Sequence, residues 1–201
     1  MQRQILAAYD SEGIYVYQAF KPSIAEEALR KGTFGKGFNM ERMTWIKPSF
    51  GWMLYRSGYA TKHRQESILK IKLTHEGFQE ILKQAIPTSF DRDIFASERD
   101  WKRSLDKSEV RYQWDPDRDL SLRRLEHRAL QLGIRGSVVQ SYANNWIIKV
   151  EEVTQLARDI QNAIKNKSKE MPQTPEEKVL QVSKDIEKFL RITHENSLNR
   201  Y

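Results

Sequence analysis

The chain has no cysteine. That removes disulfide staples, thiolate nucleophiles and every cysteine-ligated zinc or iron-sulfur site, and it suits a reducing compartment. No stretch approaches the roughly 18 consecutive apolar residues a membrane span requires, and the opening MQRQILAAYDSEG is too polar to contain a signal-peptide core. The expectation is a cytoplasmic protein with no membrane partner. Neither glycine-rich phosphate spacing, GxGxxG or GxxxxGK[ST], occurs. The histidines His63, His75, His127 and His194 are scattered, with no HxxxH or HExxH pair, and Ser49, Ser57 and Ser141 lie in no GxSxG elbow. Asp115, Asp117, Asp119 and Glu126 have the spacing of an EF-hand loop, but Leu120 stands where that loop needs glycine, and Pro116, Arg123 and Arg124 oppose it. A surface turn with internal Asp-Arg pairing is expected there, and no metal site.

What the chain does contain is enough apolar residue for a core: 201 residues, 39% hydrophobic and 10% aromatic, suit one folded domain. Lys plus Arg number 34 against 27 Asp plus Glu, a net charge of +7, which favours anionic partners such as nucleotides or nucleic acid.

Residues 14–20 (IYVYQAF) read as a strand after the turn signal DSEG, with Gln18 a polar group on an otherwise apolar face that must find a partner or a ligand. KPSIAEEALRKG reads as a short amphipathic helix with Ser23 and Glu26 at capping-box spacing and Gly32 as its stop. Residues 33–39 (TFGKGFN) read as a flexible connector, with the alternative that its two glycines let the loop cradle a ligand beside a phosphate site. Residues 67–73 (SILKIKL) alternate as a half-buried strand, and Thr74 caps a helix over residues 75–86 that Pro87 ends. Residues 89–108 show no clear period and read as an exposed excursion with a helical turn near Trp101. Further strands are expected at 110–114, closed by an Asp115-Pro116-Asp117 turn, at 128–134 and at 146–150, with a short helix over 138–143 and an amphipathic helix over 153–164. The chain therefore divides into an α+β domain over 1–164, a linker over 165–174 and a C-terminal amphipathic helix over 175–201, opened by Thr174 and Pro175, that docks on the body or on a partner. The fold class is α+β, with a small, split, mostly antiparallel sheet flanked by helices.

The most unusual stretch is residues 42–62, RMTWIKPSFGWMLYRSGYATK, which sets Arg42, Lys47, Arg56 and Lys62 among Trp45, Phe50, Trp52, Tyr55 and Tyr59 with no acidic residue between. Pro48 suits the first turn of a helix running to Arg56 and stopping at Gly58. Fixed cations can grip phosphate and planar rings can stack on a base or nicotinamide. Arg42, Lys47, Ser49, Trp52 and Arg56 are the candidate binding residues. A buried helix also looks aromatic, so the apolar members are expected to be core.

The blocks IYVYQAF, RMTWIKPSFGWMLYRSGYATK, QESILKIKL, VRYQWDPDRDL and RALQLGIRG through WIIKVEEVT, in that order, resemble the domain of unknown function 4291 family over roughly residues 3–155. A weaker similarity is to the ADP-ribosyltransferase superfamily. It implies NAD as cofactor and assigns catalytic places to Gln18 on the first strand, Tyr55 or Ser49 in the centre and Gln131 on the late strand ALQLG. The chain departs from that pattern in carrying Gln18 where His or Arg is expected and Gln131 where glutamate is usual. The functional expectation is a phosphate- or dinucleotide-binding domain of ADP-ribosyltransferase type. The alternative is a non-catalytic nucleic-acid-binding protein that uses the same basic aromatic surface.

Overall fold

The computed structural model describes residues 2–193. A short strand, β1 (Leu6–Ala7), leads into a turn in which Asp10 Oδ1 accepts from the backbone N–H groups of Glu12 and Gly13 at 3.0 and 3.2 Å, and β2 (Gly13–Phe20) follows. Helix α1 (Pro22–Lys31) starts one residue after Lys21, with the proline in its first turn. The rigid φ of Pro22 begins the helix there, so Ser23 lies inside it and cannot act as the cap expected of it. Gly32 ends it in the left-handed conformation at φ 74°.

Strand β3 (Thr44–Ile46) and helix α2 (Phe50–Ser57) come next. The cap of α2 is Ser49, whose Oγ accepts from the Trp52 N–H at 3.1 Å, so Pro48 precedes the helix rather than opening it. Strand β4 (Ser67–Thr74) runs directly into α3 (His75–Lys83), capped by Thr74 as expected. The helix stops earlier than its apolar pattern suggested, because 85–87 form β5 (Ala85–Pro87). The helical turn expected near Trp101 is a full helix, α4 (Glu98–Lys107), in which Trp101, Ser104 and Leu105 form a narrow half-buried stripe and no residue is fully buried; Ser97 caps it by accepting from the Asp100 N–H.

Strand β6 (Val110–Arg118) passes straight through the expected Asp115-Pro116-Asp117 turn with a register shift between Pro116 and Arg118. The bulge accommodates the missing proline donor. The hairpin to β7 (Arg124–Ile134) is made instead around 119–123, where Asp119 and Arg123 pair at 2.8 Å. After α5 (Gly136–Ser141) the helix widens into a π turn, Tyr142–Trp146, so Trp146 belongs to that turn and β8 is Ile147–Glu152. Helix α6 (Thr154–Lys165) follows.

The C-terminal stretch differs most from expectation. Residues 171–182 carry no helix; they cross the body as an extended strap whose strand β9 (Lys178–Val179) pairs antiparallel with β1. The helix expected from Pro175 begins only at α7 (Lys184–Leu190), capped by Ser183. Strand pairing to β1 takes the backbone groups a helix would have used. Helix α7 docks on the body: Ile186 and Leu190 join the core, the Tyr112 hydroxyl donates to the Phe189 carbonyl and Trp114 Nε1 donates to the Leu190 carbonyl, both at 2.9 Å. The rest of the expected helix, 194–201, lies outside the described residues.

The architecture is α+β with mostly antiparallel sheets. One sheet has the order β2-β4-β8 and the other β3-β7-β6-β5, with only β5 parallel to its neighbour. The main core fills the space between Ile14 and Val16 of β2, Leu69, Ile71 and Leu73 of β4, and the inner face of the second sheet at Ile46, Leu132 and Tyr112. A second apolar cluster, with Tyr17, Phe50, Leu54, Ile68 and Ile160, seats α2 and α6 on the far side of the three-stranded sheet. Among the described residues no helix is long and apolar enough to cross a membrane.

Candidate functional site

The two larger sheets touch through one backbone pair. Tyr17 N–H donates to the Lys47 carbonyl at 2.7 Å and Lys47 N–H to the Tyr17 carbonyl at 3.2 Å. Alternate residues of a strand direct their backbone groups to the same neighbour, so the next pair would join Ala19 to Trp45. That pair is not made; β2 and β3 diverge, and both residues instead line a cavity of about 600 Å³.

Gln18 wedges the fork open. Its Nε2 donates to Thr44 Oγ1 at 2.7 Å and to the orphaned Trp45 carbonyl at 3.3 Å, while its Oε1 accepts from the Tyr142 hydroxyl at 2.8 Å. At 2% exposure, with both amide hydrogens committed, it found the partner its position demanded. Burial pushes the Tyr142 phenol well above its ordinary pKa, so it stays a donor.

One wall of the cavity is aromatic. Phe38 stacks on buried Phe34 at 4.1 Å, Phe20 meets both edge-on, and Trp45 lies on Gly133, where a Cβ would come within 3.0 Å of the indole. The loop 33–39, read as a plain connector, thus supplies part of this wall. The other walls are cationic: Lys21, Arg42, Lys47 and Arg64 line the space with His63, against the single carboxylate of Glu66. Arg64 adopts a left-handed backbone at φ 62° and donates its N–H to Glu66 Oε1 at 3.0 Å. Backbone N–H groups, that of Glu66 itself first and then that of Arg64, hold the Glu66 carboxyl below its ordinary pKa, and its Oε2 is buried without a partner.

Lys47 is 6% exposed, and its Nζ makes one hydrogen bond, to the Trp45 carbonyl at 3.1 Å. Burial, reinforced by the Arg56 guanidinium and opposed by Asp115, lowers its pKa to about 7. Asp115 is in turn held by the side-chain amides of Gln113, at 2.9 Å, and Gln131. Gln131 sits on β7 one step beyond the Ile46–Leu132 pair, so it orients a carboxylate near Lys47 and does not itself line the cavity.

The other expected residues are used in packing. Ser49 donates to Asp117 Oδ1 at 2.8 Å, and Asp117 also accepts from the Arg118 N–H at 2.8 Å and meets His127 Nε2 at 3.2 Å. At the same helix end, the Phe50 N–H reaches Glu177 Oε1 of the strap at 2.5 Å. Burial, with Asp117 adding its charge, lifts the Glu177 carboxyl to about 8. Trp52 packs on Tyr55 at 5.0 Å, and the Arg118 guanidinium covers the Tyr55 ring at 4.1 Å, which leaves that ring occupied. Arg56 is exposed and off the cavity, and Lys62 closes the end of α2 by donating to the carbonyls of Tyr55 and Arg56 at 3.3 and 3.1 Å.

Of the eight residues singled out from sequence, the structure therefore brings Gln18, Arg42 and Lys47 to one cavity and places Ser49, Trp52, Tyr55, Arg56 and Gln131 outside it. Phe38 and Arg64 were not singled out. Their segments carry no motif, and only the two glycines of loop 33–39 marked a backbone able to fold over a site. Among the described residues no group of three or more His, Asp or Glu side chains is placed to hold a metal ion.

No curated protein matches the chain. Residues 4–180, which take in the cavity, both larger sheets and the strap through β9, match the family described as Domain of unknown function (DUF4291). That match covers most of the sequence, and the protein belongs to this family.

Proposed function

We propose that the cavity at the fork between β2 and β3 binds the phosphates and a ring of a nucleotide or dinucleotide, with NAD the leading candidate. The observation that carries this reading is the excess of uncompensated cations. Among the described residues Lys21, Arg42, Lys47 and Arg64 form no ion pair, yet all border one space with three aromatic side chains. Cations left without carboxylates around a concave, ring-lined surface suit an anion that brings its own planar group. A volume of about 600 Å³ falls within the range of small-molecule sites, roughly 300–1,000 Å³.

Binding is better supported than ADP-ribosyl transfer. Gln18 is committed to Thr44, Trp45 and Tyr142, and Tyr55 and Gln131 lie elsewhere. The cavity's one carboxylate, Glu66, is the group suited to steady the positive charge that develops when a nicotinamide–ribose bond breaks.

Calorimetric titration of NAD, ADP and a short RNA at low and high salt tests the reading. It predicts saturable one-to-one binding of NAD or ADP. RNA binding that falls steeply with salt, with no nucleotide heat, would replace it with the nucleic-acid alternative.

A further inference from the structure

Lys47 differs from the other cations of the cavity. Arg42, Lys21 and Arg64 are exposed, whereas Lys47 is buried at the fork. An ammonium carries three donors, and here one is used, on the Trp45 carbonyl. Among the described residues no carboxylate lies within ion-pair distance of it, and the Arg56 cation acts on it against the opposing charge of Asp115. A buried lysine that lines a cavity with two of its three donors unused is placed as an amine nucleophile rather than as a permanent charge.

We propose that the Lys47 amine condenses with the carbonyl carbon of a phosphorylated aldehyde held in this cavity, the phosphate lying against Arg42, Lys21 and Arg64 and any ring against Trp45 and Phe38. The phosphate and ring placement rests on the function proposed above; the amine chemistry does not. The nitrogen lone pair forms the N–C bond as the carbonyl π pair moves onto oxygen. A proton passes from nitrogen to that oxygen, giving a carbinolamine, and loss of one water leaves the C=N bond. No electrons enter or leave, so no further reactant is required.

The lowered pKa of Lys47, about 7, supports the step by leaving a large share of the amine neutral near neutral pH. The charged and titratable groups around it are Arg56 from α2, Asp115 from β6, and Lys21, Arg42, His63, Arg64 and Glu66 from the cavity walls.

The test incubates the full chain with an equimolar amount of pyridoxal 5′-phosphate, reduces with borohydride and maps the adduct by peptide mass spectrometry, with unphosphorylated pyridoxal and an ADP competitor in parallel. The expected result is an adduct at Lys47 at least tenfold above that at any other lysine, suppressed by ADP, at least tenfold weaker with pyridoxal, and absent from Lys47→Arg. Label spread over exposed lysines such as Lys36 and Lys62 with Lys47 unmodified overturns the proposal, and the wild-type map gives that answer even if the variant fails to fold. Nucleotide binding without Lys47 labelling defeats the amine chemistry alone. Lys47 labelling without nucleotide binding upholds the amine chemistry and defeats the nucleotide reading instead.

Discussion

The Tyr142 hydroxyl donates to Gln18 Oε1 across 2.8 Å and 124 positions of sequence, tying the π turn to the strand that forms the fork. Because the bond is buried, removing its donor leaves an acceptor without water. Tyr142→Phe should therefore lower stability by about 1–2 kcal/mol in urea unfolding. Gln18→Leu should cost more, since it also strips a donor from the Trp45 carbonyl and from Thr44.

The approach of α2 to β6 is set by Gly51. A Cβ there would lie 2.1 Å from the Arg118 carbonyl oxygen, a backbone atom that cannot turn aside. Gly51→Ala should destabilise by roughly 3 kcal/mol through forced separation of the helix and strand. Denaturant midpoints measure this, and an unchanged midpoint would show that α2 can shift without cost.

Docking of the strap should depend on pH through Glu177. Its carboxyl is lifted from an ordinary 4.5 to about 8 in the folded protein, so the folded state holds a proton that the released chain gives up. The stabilisation is complete below the ordinary glutamate pKa, declines as pH rises from about 5 to about 8, and is absent above, at no more than about 1.4 kcal/mol per pH unit. Hydrogen exchange of the β9 amides should speed up across that window. Glu177→Gln, which stays neutral, should flatten the trend.

Local features of the sequence disclosed the strands β2 and β4, the Thr74 cap and the ending of α2 at Gly58, because each rests on neighbouring residues. Only a turn of helix α4 was legible, near Trp101, because its half-buried stripe holds just two apolar side chains, Trp101 and Leu105, in an otherwise polar segment. The strap escaped because Thr174 and Pro175 are good helix openers, and only the distant β1 overrides them. The site was legible in part for the same reason. Arg42 and Lys47 stood out beside aromatic residues, but whether such a run faces a cavity or packs depends on the fork between β2 and β3, which is a long-range pairing. Tyr55 kept the composition of a stacking residue, yet Arg118, 63 positions along the chain, occupies its ring.

The most direct test of the cavity assignment is a thermal-shift comparison of the wild type, Arg42→Ala and Arg56→Ala in the presence of NAD. At a hundredfold excess over the dissociation constant the wild type should gain about 2.7 kcal/mol, a melting shift of roughly 5–10 °C for a chain of this size. Arg42→Ala should lose most of that gain, and Arg56→Ala, whose side chain lies off the cavity, should keep most of it. A wild type that NAD leaves unmoved, or a shift lost with Arg56 and kept without Arg42, would contradict the placement of the site at the fork.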